Sequence, residues 1–254
     1  MPERRAIEAV IFDLDDTLID WSAPAVEWAE HAAIKTGNIY RHLAEAGHSL
    51  PAPAEFGLII EEAVHDTWLA ARRDWTMPSM AEVFARIFEE MGLDAGRIEI
   101  EQVLRAYGWG AFPGVVPFAE TRPLLEALRE RGYRLGLVTN SFMPMWMRDI
   151  ELRAYGLLEF FDARLTSGDA GYLKPHPAIF ERIVELLGTA SERAVFVGDR
   201  PATDIAGANQ AGLHSVLFVP PHLVRDLNGV RPEFTIYDLC DLLLALEALE
   251  GQTP

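Results

Sequence analysis

Four short polar clusters interrupt an otherwise apolar pattern. Asp13-Leu14-Asp15-Asp16-Thr17 comes first and Thr139-Asn140-Ser141 second. Lys174-Pro175-His176-Pro177 is third, and Gly198-Asp199, with Asp204 further on, is fourth. Gathered in one place, Asp13, Asp15, Asp199 and Asp204 would repel one another. A hard divalent cation relieves that repulsion, and Mg²⁺ takes one or two carboxylates together with water and phosphate oxygens. The Lys174 ammonium, with small donors from Thr139 and Asn140, suits the oxygens of a phosphate. A carboxylate free to attack, with a second one two residues on, opens an aspartyl-phosphate route. Any one cluster alone reads equally well as a helix cap or a turn. The functional reading depends on all four meeting.

The elements around them predict that they meet. Residues 7–12 read as a short buried strand ending at Asp13. Beyond residue 117, strands expected at 133–139, 162–166, 194–198 and 214–219 alternate with helices at 121–131, 143–155, 177–187, 203–211 and 238–249. Alternation of this kind means a parallel sheet with helices on both faces. Ligands of such sheets bind beyond the carboxyl ends of the strands, and three of the clusters follow a strand directly.

Between about 22 and 107 the apolar spacing is helical, with helices expected at 23–47, 55–73, 80–91 and 99–107. The third is the clearest. Met80, Val83, Phe84, Ile87, Phe88 and Met91 fall on one face, Ser79 and Glu82 make a capping box, and Gly92 follows. The Gly- and Pro-rich stretch 108–118 reads as a linker or hinge. The first strand needs the later sheet, because alone it cannot bury both faces. Residues 1–19 and 117–254 are therefore expected to form one α/β unit, with 20–116 as a helical insertion.

The clusters also resemble the ordered motifs of a known family. Asp-Leu-Asp-Asp-Thr-Leu at 13–18, Val-Thr-Asn-Ser at 138–141, Leu-Lys-Pro-His-Pro at 173–177 and Gly-Asp-Arg-Pro-Ala-Thr-Asp-Ile at 198–205 are similar to those of the haloacid dehalogenase (HAD) superfamily. The resemblance covers roughly 1–19 and 117–240, and the insertion resembles the helical cap of subfamily I. It implies a Rossmann-like doubly wound core and a Mg²⁺-dependent phosphatase acting on a small phosphorylated metabolite. Asp13 would attack phosphorus and ligate Mg²⁺. Asp15 would protonate the leaving oxygen, activate water, and lend its carbonyl to the metal. Thr139 and the Asn140 backbone N–H would hold phosphate oxygens, and Lys174 would neutralise Asp13 and the transferring group. Asp199 would ligate Mg²⁺ directly, and Asp204 through water, or would position Lys174.

The superfamily hosts other chemistries. A phosphomutase keeps the same catalytic residues. A 2-haloacid dehalogenase needs no leaving-group proton and typically lacks the second acid, so Asp15 argues against it. A phosphonatase needs a cap lysine, and the surroundings of Lys35 do not suggest that role. A non-catalytic binding protein usually loses a catalytic residue, and none is missing. Arg200 and Pro201 depart from the usual small polar residues; Arg200 is expected to face solvent, Asp16 to serve loop geometry and His176 to be structural or exposed. The tryptophans at 21, 28, 68 and 75 are expected mostly in the core of the insertion, with Asp20 and Trp21 the best candidates for substrate contact.

Composition sets further bounds. Half of the 254 residues are hydrophobic and the net charge is −17, which leaves no basic footprint for nucleic acid and disfavours an acidic membrane surface. The basic residues are almost all arginine; Lys35 and Lys174 are the exceptions. A position that keeps lysine in such a chain asks for a compact ammonium and not a planar fork. Cys240 is the single cysteine, so no disulfide forms within the chain. It lies in an apolar helical pattern, is expected in the core, and fits a reducing cytoplasm. The apolar run after Arg4 and Arg5 reaches only from Ile7 to Leu14 and contains Glu8 and Asp13, which is too short and too charged for a signal peptide.

Overall fold

The computed structural model describes residues 7–251; Arg4, Arg5 and the two ends of the expected α/β unit lie outside them. β1 (Ala9–Phe12) leads to a two-residue β2 (Ile19–Asp20). Four helices follow: α1 (Trp28–Glu45), α2 (Pro53–Asp74), α3 (Met80–Glu90) and α4 (Ile100–Tyr107). β3 (Val116–Pro117) then pairs antiparallel with β2, Ile19 opposite Pro117 and Asp20 opposite Val116. The chain continues through α5 (Thr121–Glu130), β4 (Arg134–Thr139), α6 (Met145–Ala154), β5 (Ala163–Thr166), α7 (Ser167–Ala170) and α8 (Pro177–Leu187). It ends with β6 (Ala194–Gly198), α9 (Ala206–Gln210), β7 (His214–Phe218), β8 (Phe234–Ile236) and α10 (Leu242–Gly251).

The main sheet is parallel, in the order β5-β4-β1-β6-β7-β8. Counted along this sheet alone, that is the doubly wound order 3-2-1-4-5-6. Its central strands β1 and β6 are buried on both faces, and the sheet's side chains divide with period two. Val10, Phe12, Leu135 and Leu137 join Leu125 and Leu128 of α5 and Leu242 and Leu246 of α10. Ala9, Ile11 and Val138 face Ile179, Phe180 and Ile183 of α8 on the other side. Each large apolar side chain so enclosed contributes about 1.5–3 kcal/mol relative to exposure. Gly136 of β4 sits where α8 crosses closest; a Cβ there would stand 2.9 Å from Leu187 and 3.3 Å from Ile183.

The four helices after β2 build a second core. Met80, Val83, Phe84, Ile87 and Phe88 form its spine, on the face the spacing predicts. The capping box forms: the Glu82 N–H donates to Ser79 Oγ, and the Ser79 N–H donates to the Glu82 carboxylate at 2.8 Å. Phe142, Met143, Met147 and Leu173 of the α/β part belong to this same cluster and seat the helices on the sheet's edge.

Some expectations change. α1 starts at Trp28 and not at 23, because Pro24 precedes it and the Ala25 N–H donates to the Pro113 carbonyl. Residues 108–118 are not a bare tether: Trp109, Phe112 and Val115 are buried. The helix expected at 203–211 is instead a π-turn over Pro201–Ile205 followed by α9. Trp28, expected in the core, is 53% exposed. Cys240 is also exposed, contrary to expectation. Asp238 caps a 3₁₀ turn over Leu239–Asp241 before α10 begins, so the phase of the apolar pattern shifts and Cys240 points outward. No helix among the described residues is long and apolar enough to cross a membrane.

Candidate active site

β1 and β6 are neighbours, with later strands added outward from each, so the crevice beyond their carboxyl ends is the place where this topology binds ligands. Asp13 stands at that point, its N–H donating to the Val197 carbonyl at 2.9 Å. Asp199 follows β6 directly. Lys174, on the loop before α8, is 2% exposed and reaches both sides of the crevice. Its ammonium lies 2.6 Å from Asp13 Oδ1 and 2.9 Å from Asp204 Oδ1, and it donates to the Val138 carbonyl at 3.1 Å. The Asn140 side chain clips the lysine's backbone from both sides. Its amide donates to the Lys174 carbonyl at 3.1 Å and its oxygen accepts from the Lys174 N–H at 2.8 Å.

Asp13, Asp199 and Asp204 are all buried, and carboxylate oxygens from the three lie within 4.8 Å of one another. Burial pushes Asp13 up to about 6, against the pull of Lys174 and with help from Asp204 and Asp15. Burial pushes Asp199 up to about 8, aided by Asp13 and Asp204. Arg225, from the loop after β7, pairs with Asp199 Oδ2, but Asp199 Oδ1 is buried with no hydrogen-bond partner. Crowded carboxylates with an unsatisfied buried oxygen are a donor set that fits a hard divalent cation. Gly198 makes room for Asp204: a Cβ there would collide with the Asp204 carboxylate. Asp204 is fixed in turn by the Arg200 N–H at 2.9 Å.

Asp15 faces the other way, into a cavity. Arg148 Nη2 lies 3.0 and 3.1 Å from its two oxygens, Trp21 Nε1 donates at 3.0 Å, and Thr139 Oγ1 donates at 3.2 Å. Burial alone would raise this carboxyl, but the Arg148 charge, with the hydrogen bonds from Arg148 and Trp21, holds it below the usual carboxylate range. Arg148 is itself buried on α6, and its Nε stands 3.1 Å from Glu151, a fully buried carboxylate that also accepts from Trp109 Nε1. Burial pushes Glu151 up to about 7.

A sequence model described as haloacid dehalogenase-like hydrolase matches residues 7–212 of the chain. This protein belongs to that family. The hydrolase is 33% identical to a glyceraldehyde 3-phosphate phosphatase of Methanopyrus kandleri over 83% of each chain. It is 29% identical to a phosphoserine phosphatase of Thermus thermophilus, over 96% of this chain and all of that one. Among solved structures it is similar to a 2-haloacid dehalogenase of Pseudomonas syringae, with a TM-score of 0.63 and 27% identity over 95% of this chain and 99% of that one.

In this hydrolase, Asp13, Lys174, Asp199 and Asp204 form one buried group, while Asp15 and Thr139 pair beside it. Asn140 contributes a side chain that positions Lys174. Asp16 takes a left-handed backbone (φ 60°) and accepts from the Trp21 N–H, which is loop geometry. His176 caps α8, its Nδ1 accepting from the Ala178 N–H, and stacks on Tyr172. Arg200 is exposed and lines the cavity. Sequence reasoning missed Arg148, Glu151 and Arg225. The available signal was a charged pair at i, i+3 between Met147 and Leu152 on an otherwise apolar helix face. Arg225 gave no signal, since only the β7–β8 loop brings it to Asp199.

Proposed function

We propose that this hydrolase is a phosphatase acting on a phosphate monoester through Asp13. One Asp13 carboxylate oxygen attacks phosphorus and the bond from phosphorus to the ester oxygen breaks. Asp15 gives its proton to that oxygen, and the alcohol leaves. Asp15 then takes a proton from water, the water oxygen attacks phosphorus, and the bond to Asp13 breaks to give inorganic phosphate. An entering phosphate brings negative charge beside Asp15 and competes for Arg148, and both effects favour the protonated acid that the first step uses. Lys174 holds Asp13 in line and offsets charge on the transferring group. Asp13, Asp199 and Asp204, with the Asp15 carbonyl, would hold Mg²⁺, which supplies charge stabilisation to the phosphoryl oxygens when bound. Residues 20–116 act as a cap over the α/β core of 1–19 and 117–254.

The observation that carries this reading is Asp15. A second carboxylate stands beside the nucleophile, facing the cavity and held by Arg148, Trp21 and Thr139. Displacing a halide from carbon needs no such proton donor, which separates this site from the chemistry named for the Pseudomonas syringae relative. The test is phosphate release from p-nitrophenyl phosphate with Mg²⁺, comparing wild type with Asp13→Asn. Release by wild type alone is expected. Equal release by both proteins refutes the nucleophile, and halide release from a 2-haloacid in place of phosphate release refutes the reaction class.

A further inference from the structure

The space above Asp15 is larger and less polar than a three-carbon phosphate needs. A cavity of about 1710 Å³ extends from Asp15, Arg148 and Arg200 outward between α1 and α2; drug-sized ligands occupy sites of about 300–1,000 Å³. Two aromatic walls lead out from the catalytic loops. On one side Trp21 donates to Asp15 and its ring lies 6.3 Å from that of Trp28. On the other, Phe142, two residues past Asn140, meets Trp68 edge-on at 6.3 Å.

The outer part of the cavity keeps large apolar side chains uncovered. Trp28, Leu58 and Leu69 line it and are 53%, 66% and 45% exposed. Exposed apolar side chains that gather in one place mark a binding site, and these three line the same cavity as Asp15. The helices also leave space where side chains would ordinarily fill it. Gly37 of α1 and Gly57 of α2 both line the cavity, and a Cβ added at either would meet nothing within 4 Å. Glycine weakens a helix interior, and neither position needs a positive φ or a close backbone approach. At both positions the cavity lining carries no side chain.

Building on the phosphatase reading, we infer that the substrate is a phosphate monoester whose alcohol part is bulky and mostly apolar, an alkyl or aryl body lying between α1 and α2 while the phosphate sits at Asp13 and Lys174. Asp15, Arg148 and Arg200 stand at the catalytic end, where the phosphate sits; α1 and α2 add Arg41, Glu45, Glu61, His65 and Arg72 to a lining that is otherwise mostly apolar and takes the remainder.

The test is kcat/KM along a series of straight-chain alkyl phosphates, from ethyl to hexyl, at constant Mg²⁺. The leaving-group chemistry is nearly constant across the series, so the trend reports burial. Burying one methylene is worth about fourfold, so hexyl phosphate should exceed ethyl phosphate by on the order of a hundredfold. Gly57→Phe and Gly37→Phe, checked for folding by circular dichroism, should each cut the hexyl-to-ethyl ratio about tenfold or more by filling the space. A flat or falling trend in wild type with phosphate still released, or a ratio untouched by both folded variants, overturns this inference and leaves the phosphatase reading standing. No phosphate released from any ester, p-nitrophenyl phosphate included, overturns both.

Discussion

Replacing Arg148 by methionine separates the two carboxylates it joins. Arg148 is enclosed between Asp15 and Glu151, and methionine keeps most of its apolar bulk while removing the charge. Glu151 is fully buried, so it dominates the outcome. In the wild type its carboxyl is pushed from an ordinary 4.5 up to about 7 even with the guanidinium beside it. A carboxyl raised in the folded state binds a proton on folding, so stability falls as pH rises from about 4.5 through about 7. Each pH unit of that window carries about 1.36 kcal/mol, so the wild-type loss levels off near 3 kcal/mol above pH 7. Without Arg148 the folded carboxyl titrates higher still, and the fall continues. If it stays protonated to pH 9, the loss reaches about 6 kcal/mol. The stability gap between wild type and Arg148→Met should therefore be wider by about 3 kcal/mol at pH 9 than at pH 6. Urea unfolding at both pH values measures it. Adding Glu151→Gln to the variant should remove the widening, because glutamine has no proton to lose. A gap that stays constant or narrows with pH refutes the assignment of the buried charge balance to this pair.

Two further perturbations address the buried floor of the site. Lys174→Arg should not rescue the activity that Lys174→Met loses, both falling by about two to three orders of magnitude in kcat, because a planar fork cannot fit the space between Asp13 and Asp204; wild-type turnover in the arginine variant contradicts this. Gly198→Ala pushes a Cβ into the Asp204 carboxylate and should cost about 1–3 kcal/mol in urea unfolding; an unchanged midpoint shows that Asp204 has room to move.

The buried floor was readable because each of its residues is tied to an element with a strong local signal. Asp13 and Asp199 follow strands so apolar that no other reading fits, and Lys174 precedes a proline-started helix. β8, β2 and β3 escaped notice because two or three residues are too few to show a period. Arg148 and Glu151 escaped for a different reason. Their meaning comes from a carboxylate 133 positions earlier in the chain, and an Arg and a Glu three apart on a helix ordinarily mark a solvated face. The place of Cys240 turned on a single capping aspartate that reset the helix phase, a local event that an apolar pattern does not register.

The ribbon formed by β2 and β3 carries a consequence for how this enzyme can change. Asp20 and Val116 face each other across it, about 5 Å apart as cross-strand partners are. Everything between them leaves and re-enters the α/β part through one point. A two-residue hairpin could close the same gap, so the intervening helices are a replaceable passenger as far as chain connectivity is concerned. The obstacles to exchanging them lie elsewhere: in Phe142, Met143, Met147 and Leu173, the apolar seat that any new occupant would have to cover, and in Trp21 and Trp109, whose indole N–H groups donate to Asp15 and Glu151. A lineage that kept those contacts matched could acquire a different helical insertion while the buried carboxylates beneath stayed in place.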